Sequence, residues 1–244
     1  WDDPKKLLVW DTATWTVLHS ATFPVSGRPS GSRDLYLQVA FGSDSRHVAV
    51  LTGGTTRVLN CPELKEVLVL PEDLPESSTS RPFLALSPDN RTLALPSPEG
   101  YGVRLWDTVE NRELRILPGH TDHIFSARFS PDGAWLVTAS PDQTVKLWQV
   151  ATGELLHTFR GQADEVIDVV FSADGTRLAS LGITESVVKL WDARRRPRSE
   201  LLPRGLWPQG FEPGGQMVVL GRGPERQPLS FDPTDFKLDR KSVV

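Results

Sequence analysis

His120 and His123 are three residues apart, close enough along the chain for two imidazoles to bind one metal ion. A zinc site, however, needs three or four ligands from histidine, cysteine or carboxylate side chains. The sequence contains five histidines and a single cysteine, and no Cys/His cluster has the spacing of a zinc site. A structural role for both histidines is therefore favoured, and the sequence predicts neither a metal nor a cofactor.

Serine and aspartate recur together in the segments SPDN at 87–90, SPDG at 130–133 and SADG at 172–175. A hydroxyl and a carboxylate are parts of a hydrolytic triad, but a triad is one constellation and does not repeat along a chain. Pro-Asp and Asp-Gly pairs are instead typical of tight turns, because they supply the backbone angles that such turns need. Cys61, next to Pro62, has no histidine near it in the repeat and is interpreted as a loop residue. The sequence therefore predicts a protein that is not an enzyme.

These turns belong to a longer repeat that is marked by tryptophan. The segments VRLWD, VKLWQ and VKLWD place Trp106, Trp148 and Trp191 at intervals of 42 and 43 residues, and LLVWD at 7–11 is a further copy. A period of about 40 residues is typical of arrays whose units stack, because one unit cannot bury its own apolar faces. The sequence therefore predicts a series of stacked, similar units.

Each unit has the pattern of short strands. Within 113–148, the segments ELRILPGH, IFSARFS, WLVTAS and TVKLWQ are separated by turn signals, and none shows helical periodicity. Four short strands per unit predict a propeller blade. The predicted fold class is all-β: over residues 1–238, a β-propeller of four-stranded antiparallel blades, about five blades plus a half blade, open and truncated. The inner strands of the five units are placed at 35–59, 82–106, 123–148, 166–191 and 206–231.

The two ends of the chain depart from the repeat. Trp1 lies inside a unit, so that LLVWD stands as a third strand without its first two partners. The last six residues, DRKSVV at 239–244, fit no part of the repeat and match the translation of a common sequencing adapter. Residues 239–244 are interpreted as a non-native tail, and the chain as a fragment of a longer protein.

The order Gly-His, Ser-Pro-Asp-Gly, a strand with a hydroxyl residue, Asp and Leu-Trp resembles a WD-repeat (WD40-type) β-propeller, over nearly the whole chain. The repeats look like those of bacterial members. The resemblance implies a buried hydrogen-bonded network, whose members here are His120, Thr138, Asp142 and Trp148. The next unit has Gln162 in place of the histidine, keeps Ser180 and Trp191, and has no aspartate in its turn. The full network is therefore expected in one unit.

The resemblance also implies where partners bind. In such propellers, proteins and peptides contact the loops that enter each inner strand and the turns between the second and third strands. We therefore expect protein or peptide partners on this face of the propeller. The matching positions are Asp122, His123, Pro141, Gln143, Asp164 and Glu165.

Composition argues against two other kinds of partner. The formal net charge of −4 gives no basic field for nucleic acid, and ARRRPRSE at 193–200 is interpreted as a solvated loop. No apolar run approaches the roughly 20 residues that cross a bilayer. A single cysteine fits no disulfide framework, so a reducing compartment and a cytoplasmic location are predicted.

Three functions fit these observations. The first is a non-catalytic scaffold for protein–protein interaction that forms part of a larger protein. The second is the docking or sensor region of a multidomain bacterial Ser/Thr protein kinase linked upstream, because similar propellers are often fused to such kinases. The third is an enzymatic propeller, which would need charged or metal-binding residues near its axis. The sequence favours the scaffold, since it contains no catalytic constellation.

Overall fold

The chain folds into short strands joined by turns. The computed structural model describes residues 5–23, 38–52, 55–71, 83–98, 101–183, 188–193, 200–201, 206–211, 217–221, 228–232 and 237–239. These residues include no helix that is long and apolar enough to span a membrane. Their strands form five four-stranded sheets and one two-stranded sheet. Strand pairing is antiparallel, so the predicted all-β class with four-stranded antiparallel blades is confirmed.

The first of two compact units covers residues 1–116. Its strands form one two-stranded and two four-stranded sheets. They are β1 (Lys5–Trp10) and β2 (Val17–Phe23); β3 (Gln38–Phe41), β4 (His47–Thr52), β5 (Thr55–Asn60) and β6 (Lys65–Pro71); β7 (Ala85–Leu86), β8 (Thr92–Pro96), β9 (Val103–Asp107) and β10 (Arg112–Leu117).

The second compact unit covers residues 117–244 and holds three four-stranded sheets. Residues 240–244 of the predicted tail lie outside the described residues, and Asp239 ends the last strand. The strands are β11 (Ser126–Phe129), β12 (Trp135–Ala139), β13 (Thr144–Gln149) and β14 (Leu155–Arg160); β15 (Val166–Phe171), β16 (Arg177–Gly182), β17 (Val188–Asp192) and β18 (Glu200–Leu201); β19 (Leu206–Phe211), β20 (Met217–Gly221), β21 (Pro228–Asp232) and β22 (Lys237–Asp239).

The sheets are offset from the sequence repeat by one strand. The repeat predicts ELRIL as the first strand of the unit at 113–148, but this segment lies in β10, which is the neighbour of β9 in the preceding sheet. The physical reason is the length of the connections. Residues 108–111 form a tight turn between β9 and β10, whereas the longer segment 118–125 leads to β11. Strands joined by a short turn pair with each other.

The serine–aspartate segments form turns between the first and second strands. The Ser130 hydroxyl donates to Asp132 Oδ1 over 2.6 Å, and the same oxygen accepts the backbone N–H of Ala134. Gly133 has φ = 72°, in the left-handed region that glycine adopts most easily. The turn at 172–176 repeats both contacts. These serines and aspartates therefore recur because each turn needs them, and their recurrence requires no catalytic role.

Apolar side chains fill the space between neighbouring sheets within a unit. Between β11–β14 and β15–β18, the buried cluster includes Val137, Val145 and Leu147 from one sheet and Val169, Leu178 and Trp191 from the next. The Phe159 ring of β14 lies 5.3 Å from the Trp191 ring, measured between centroids. Because side chains alternate along a strand, the aliphatic face of β13, with Val145 and Leu147, packs towards the next sheet, whose strand β17 contributes Trp191.

Candidate functional site

His120, Thr138, Asp142 and Trp148 form a continuous set of hydrogen bonds in the sheet β11–β14. His120 Nδ1 lies 2.7 Å from Asp142 Oδ2, and His120 Nε2 lies 2.7 Å from Thr138 Oγ1. The Trp148 indole N–H donates to the same Thr138 oxygen over 3.0 Å. The imidazole is fully buried and the carboxylate is 5% exposed. A buried network of this kind stabilises a sheet because every polar group in it has a partner.

Strand register and one glycine bring these four residues together. Thr138 and Trp148 lie on the neighbouring strands β12 and β13, and Asp142 lies in the turn that joins them. His120 enters from the loop before β11. The preceding Gly119 has φ = 134°, and a Cβ atom there would lie 3.3 Å from the Trp148 ring. A glycine at this position therefore lets the loop approach the indole closely.

The Asp142 carboxylate also holds the backbone of both loops around it. Its Oδ2 accepts the N–H of Thr121 over 3.1 Å. Its Oδ1 accepts both the N–H of Thr144, over 2.9 Å, and the Thr144 hydroxyl, over 2.6 Å. One buried carboxylate thus fixes the loop that enters β11 to the turn between β12 and β13.

The electrostatics favour a neutral imidazole beside an ionised carboxylate. Burial lowers the pKa of His120 more than the neighbouring Asp142 raises it. Burial alone would raise the pKa of Asp142, but hydrogen bonds from His120, Thr144 and Thr121 hold it well below its usual range. With its proton on Nδ1, His120 donates to Asp142 and accepts the Thr138 hydroxyl proton at Nε2. Each donor then has an acceptor, an arrangement suited to holding the loops in place.

The neighbouring sheet β15–β18 contains a shorter network that sequence reasoning missed. Gln162 is 6% exposed, and its Nε2 donates to Ser180 Oγ over 2.8 Å. The Trp191 indole N–H donates to the same hydroxyl oxygen, also over 2.8 Å. The signal was Gly161, which has φ = 120° and stands before Gln162 as Gly119 stands before His120. A buried amide therefore occupies the place of the imidazole.

The tryptophan of the sheet β7–β10 has a different partner. The Trp106 indole N–H donates to Asn111 Oδ1 over 3.2 Å, in the turn between β9 and β10. The Arg104 guanidinium lies 5.6 Å from the centroid of the Trp106 ring. The hydrogen-bond partner of this indole therefore lies in the turn between β9 and β10 and not on the second strand. Trp106 is only partly buried.

Ser140 joins the loops that enter two neighbouring sheets. Its hydroxyl donates to the Asp122 carbonyl over 3.3 Å, and its own carbonyl accepts the N–H of Val166 over 3.1 Å. A second tie between the sheets runs from the Ser126 hydroxyl to Asp168 Oδ1 over 2.6 Å. The beginnings of β11 and β15 are thereby held side by side.

Six residues with expected partner contacts lie around these ties, at one end of the two sheets. Gln143, with φ = 67°, and Glu165 are exposed, and the other four are half-buried. They are named here the loop rim: Asp122 and His123 before β11, Pro141 and Gln143 between β12 and β13, and Asp164 and Glu165 before β15.

The loop rim has an acidic character. It contains three carboxyl groups, those of Asp122, Asp164 and Glu165. Asp164 is held close to β16, because a Cβ atom at Gly182 would overlap its Oδ1. In the preceding sheet, Ser140 stands where Gly182 stands in this one. The loops before β11 and β15 therefore each pack against the end of the second strand of their sheet. The contact is made by the Ser140 hydroxyl in the first sheet, and in the next sheet Asp164 lies over Gly182, which has no side chain.

The two histidines that are close in sequence have different surroundings. Both ring nitrogens of His120 are engaged by Asp142 and Thr138, whereas His123 lies at the loop rim. In the described part of the chain, no three histidine, cysteine or carboxylate side chains are placed to hold a metal ion. Burial and the nearby Glu63 and Asp44 raise the pKa of the Cys61 thiol, which works against thiolate formation.

Comparisons with known proteins agree with this geometry. Two segments, residues 111–149 and 153–192, match the family model WD40, described as WD domain, G-beta repeat. The Coronin-7 protein of Rattus norvegicus is 35% identical over 83 residues, which cover 34% of this chain and 9% of that protein. The Coronin-7 protein of Bos taurus is 35% identical over 80 residues, 32% of this chain and 9% of that protein. The resemblance to WD repeats is therefore confirmed: the chain contains two WD40 repeats, at 111–149 and 153–192, within an all-β structure of antiparallel sheets.

Proposed function

We propose that this chain is a non-catalytic scaffold that binds a protein or peptide partner at the loop rim. The observation that carries the proposal is the bonding of Ser140 to the Asp122 carbonyl and the Val166 N–H, which holds the rim of two sheets in one position. Loops fixed at one end of a rigid scaffold are common binding sites. A prearranged surface also loses less conformational freedom when a partner binds.

The buried network supports this surface from below. Asp142 holds both the loop at Thr121 and the turn that continues to Gln143. We propose that the network positions the loop rim and does not contact the partner. It is a structural element of the scaffold, and the partner contacts the exposed ends of the loops.

The partner is proposed to carry basic residues. Asp122, Asp164 and Glu165 give the rim a negative potential, which attracts lysine and arginine side chains and disfavours acidic segments. A few basic anchors on an extended peptide or on a loop of a folded domain would satisfy this chemistry.

A peptide-display selection tests this function. The chain is the target, and selected peptides are then measured against a rim variant that carries Asp122→Lys and Glu165→Lys. The control variant carries Asp132→Lys and Asp174→Lys, in exposed turns at the opposite end of the same sheets. Both variants change the net charge equally. Because Asp132 and Asp174 also accept hydrogen bonds within their turns, circular dichroism and urea unfolding must show that the control variant is folded.

The expected result is a set of peptides rich in lysine and arginine that bind the unchanged chain and the control variant, with affinity at least about tenfold lower for the rim variant. Peptides that bind the rim variant equally well would place the interaction elsewhere. A selection that enriches no peptide would count against a peptide-binding rim.

Two finer proposals concern the setting of the scaffold. The sequence of the repeats, such as SPDG and ATGELLHTF, favours a scaffold that is part of a larger bacterial protein. The alternative is that the chain is the docking or sensor region of a linked Ser/Thr kinase. The source locus, sequenced outward on both sides, decides between them: kinase motifs upstream support the alternative, and further Trp-anchored repeats alone support the scaffold. The single cysteine favours a cytoplasmic location, which cell fractionation tests.

A further inference from the structure

The loop that leads into β11 is held to its sheet by side chains. Residues 118–124 are named here the entry loop. Within it, the Thr121 N–H donates to Asp142 Oδ2 over 3.1 Å, and the Asp122 carbonyl accepts the Ser140 hydroxyl over 3.3 Å. Regular pairing of β11 with β12 begins at Ser126. Segments held in this way open more readily than paired strands, so the entry loop is expected to open while β11–β14 stay paired.

Opening of the entry loop exposes His120. In the closed position the His120 side chain is fully buried, with Nδ1 against Asp142 and Nε2 against Thr138. The loop cannot leave the sheet without withdrawing the imidazole from both partners. In water an imidazole has its ordinary pKa of about 6.5. Opening of the loop therefore restores the affinity of His120 for a second proton, and the two events are linked.

The hydrogen bonds of the closed position suit a neutral imidazole. With its proton on Nδ1, His120 accepts the Thr138 hydroxyl proton at Nε2, and Thr138 Oγ1 also accepts the Trp148 indole N–H. A proton on Nε2 would bring a second donor to that oxygen. The Thr138 hydroxyl would then have to turn to the Lys146 carbonyl, 3.5 Å away. A short hydrogen bond would thus be exchanged for a long one.

The charges around the imidazole oppose each other. Among the described residues, Asp142 in the turn between β12 and β13 attracts a protonated imidazole, and Lys146 on β13 repels it. Arg160 on β14 in turn acts on the Lys146 ammonium group. Burial outweighs the attraction of the carboxylate, so the pKa of His120 is lowered in the closed position.

We propose that the entry loop opens in mild acid, because His120 takes up a proton in the open position and not in the closed one. The closed loop is then favoured above about pH 6.5, and the open form gains population as the pH falls below that value. Asp122 and His123 lie on this loop, so opening also takes them out of the loop rim. A partner that needs the closed rim would bind less tightly in proportion to the open fraction, a consequence that rests on the proposed function.

Hydrogen–deuterium exchange followed by NMR tests the opening in the full chain without a partner. The readout is the opening constant of the Thr121 amide, obtained from its exchange rate after correction for the intrinsic effect of pH on exchange. This constant should rise about fivefold between pH 6.5 and pH 5.5. The amides of β12 and β13 should have much smaller opening constants at each pH, because they exchange only when the sheet unfolds.

Two histidine variants identify the group that takes up the proton. His120→Gln keeps a hydrogen-bonding amide at this position, as Gln162 does in the next sheet. Its Thr121 opening constant should change by less than about twofold over the same pH range. His157→Gln is the matched control, because His157 is a partly buried histidine of the same sheet, on β14 opposite Leu147. This control should keep the fivefold rise.

Three results would overturn the proposal. The first is a Thr121 opening constant that does not change between pH 6.5 and pH 5.5 in the unchanged chain. The second is equal opening constants for Thr121 and for β12 and β13, since the loop would then open only with the whole sheet. The third is the same rise in His120→Gln, which would assign the proton to another group.

The first two results decide the matter even if His120→Gln does not fold. All of these measurements use the chain alone. A peptide selection that fails at the loop rim would therefore contradict the proposed function and leave the linked opening of the entry loop standing. An opening constant that ignores pH would do the reverse.

Discussion

The neighbouring sheets β11–β14 and β15–β18 each bury a tryptophan at the same position of the repeat, but the polar partners of the two tryptophans differ. In both sheets the indole N–H donates to a hydroxyl oxygen of the second strand, which belongs to Thr138 in the first sheet and to Ser180 in the second. In the first sheet His120 links that hydroxyl to a carboxylate. In the second sheet the amide of Gln162 donates to the hydroxyl instead.

The difference follows from what the two side chains can do. The neutral imidazole of His120 accepts from the hydroxyl at one nitrogen and donates to Asp142 at the other. Gln162 instead donates to the hydroxyl of Ser180, and the turn of that unit has no aspartate in the sequence. The tryptophan–hydroxyl pair is therefore the common element of the two sheets. The histidine–carboxylate extension is an addition, which ties two loops together and introduces groups that titrate.

The largest expected effect comes from removing the shared hydroxyl. Thr138→Val should lower the free energy of unfolding by about 3 kcal/mol, because the Trp148 N–H and His120 Nε2 both lose their partner in a buried site. Ser180→Ala should cost about 2 kcal/mol, since the Trp191 N–H loses its partner and Gln162 keeps only its longer bond to the Ser180 carbonyl, over 3.5 Å. Urea unfolding at pH 7 measures both. A neutral Ser180→Ala with a costly Thr138→Val would break the proposed equivalence of the two sheets.

A smaller effect should be confined to the first sheet. Asp142→Ala removes the acceptor for His120, Thr121 and Thr144, and should lower the free energy of unfolding by about 2 kcal/mol. Asp132→Ala is the matched control, because Asp132 is also a turn aspartate but is exposed and accepts only local hydrogen bonds. Urea unfolding should give a clearly smaller loss for the control. Equal losses would mean that Asp142 acts as a turn former and not through the network.

The pH dependence should distinguish the two kinds of network. The pKa of His120 is lowered in the folded chain, so below about pH 6.5 the unfolded chain binds a proton that the folded chain does not. Stability should therefore fall as the pH drops from 6.5 towards 5. Asp142, whose pKa is also lowered, adds a further loss below about pH 4.

His120→Gln copies the chemistry of the second sheet and should flatten this pH profile. At pH 7 the variant should lose about 1 kcal/mol, the size of one net hydrogen bond. Urea midpoints measured from pH 7.5 to 5 compare the two proteins. The same slope in both would show that His120 is not the group responsible.

The smallest effect is expected in the sheet β7–β10. Trp106 is only partly buried and its N–H bonds to the exposed Asn111, so water can replace that contact. Trp106→Phe should therefore cost about 1 kcal/mol less than Trp148→Phe in urea unfolding. Comparable costs would mean that packing of the ring, and not its hydrogen bond, sets the contribution of this tryptophan.

The fold was predictable because the residues that mark the repeat are typical of few other folds. Tryptophans at a constant interval and Asp-Gly turns between alternating strands indicate blades even without any tertiary information. The predicted pairing of ELRIL was wrong because a repeat pattern does not show which of the two flanking strands a segment pairs with. The difference in length between 108–111 and 118–125 held that information.

The candidate site was only partly predictable. His120 and Asp142 stand out in the sequence, since each has a place in a known repeat pattern. Gln162 was placed at the position of the histidine, but its buried bond to Ser180 was not predicted, because glutamine is most often an exposed residue. Ser140 joins two sheets through its hydroxyl and its carbonyl. Backbone contacts of that kind leave no trace in residue types.

The offset between repeat and sheet has a consequence for how such a gene can change in length. The matched repeat 153–192 begins just before β14, the outer strand of one sheet, and ends with β17, the third strand of the next. If recombination deleted this repeat, β18 would follow β13 and take the outer position that β14 held. A duplication would insert an outer strand and three new inner strands in the same order. This repeat can therefore be lost or copied while each four-stranded sheet keeps four strands, so the number of such sheets can change in a single genetic step.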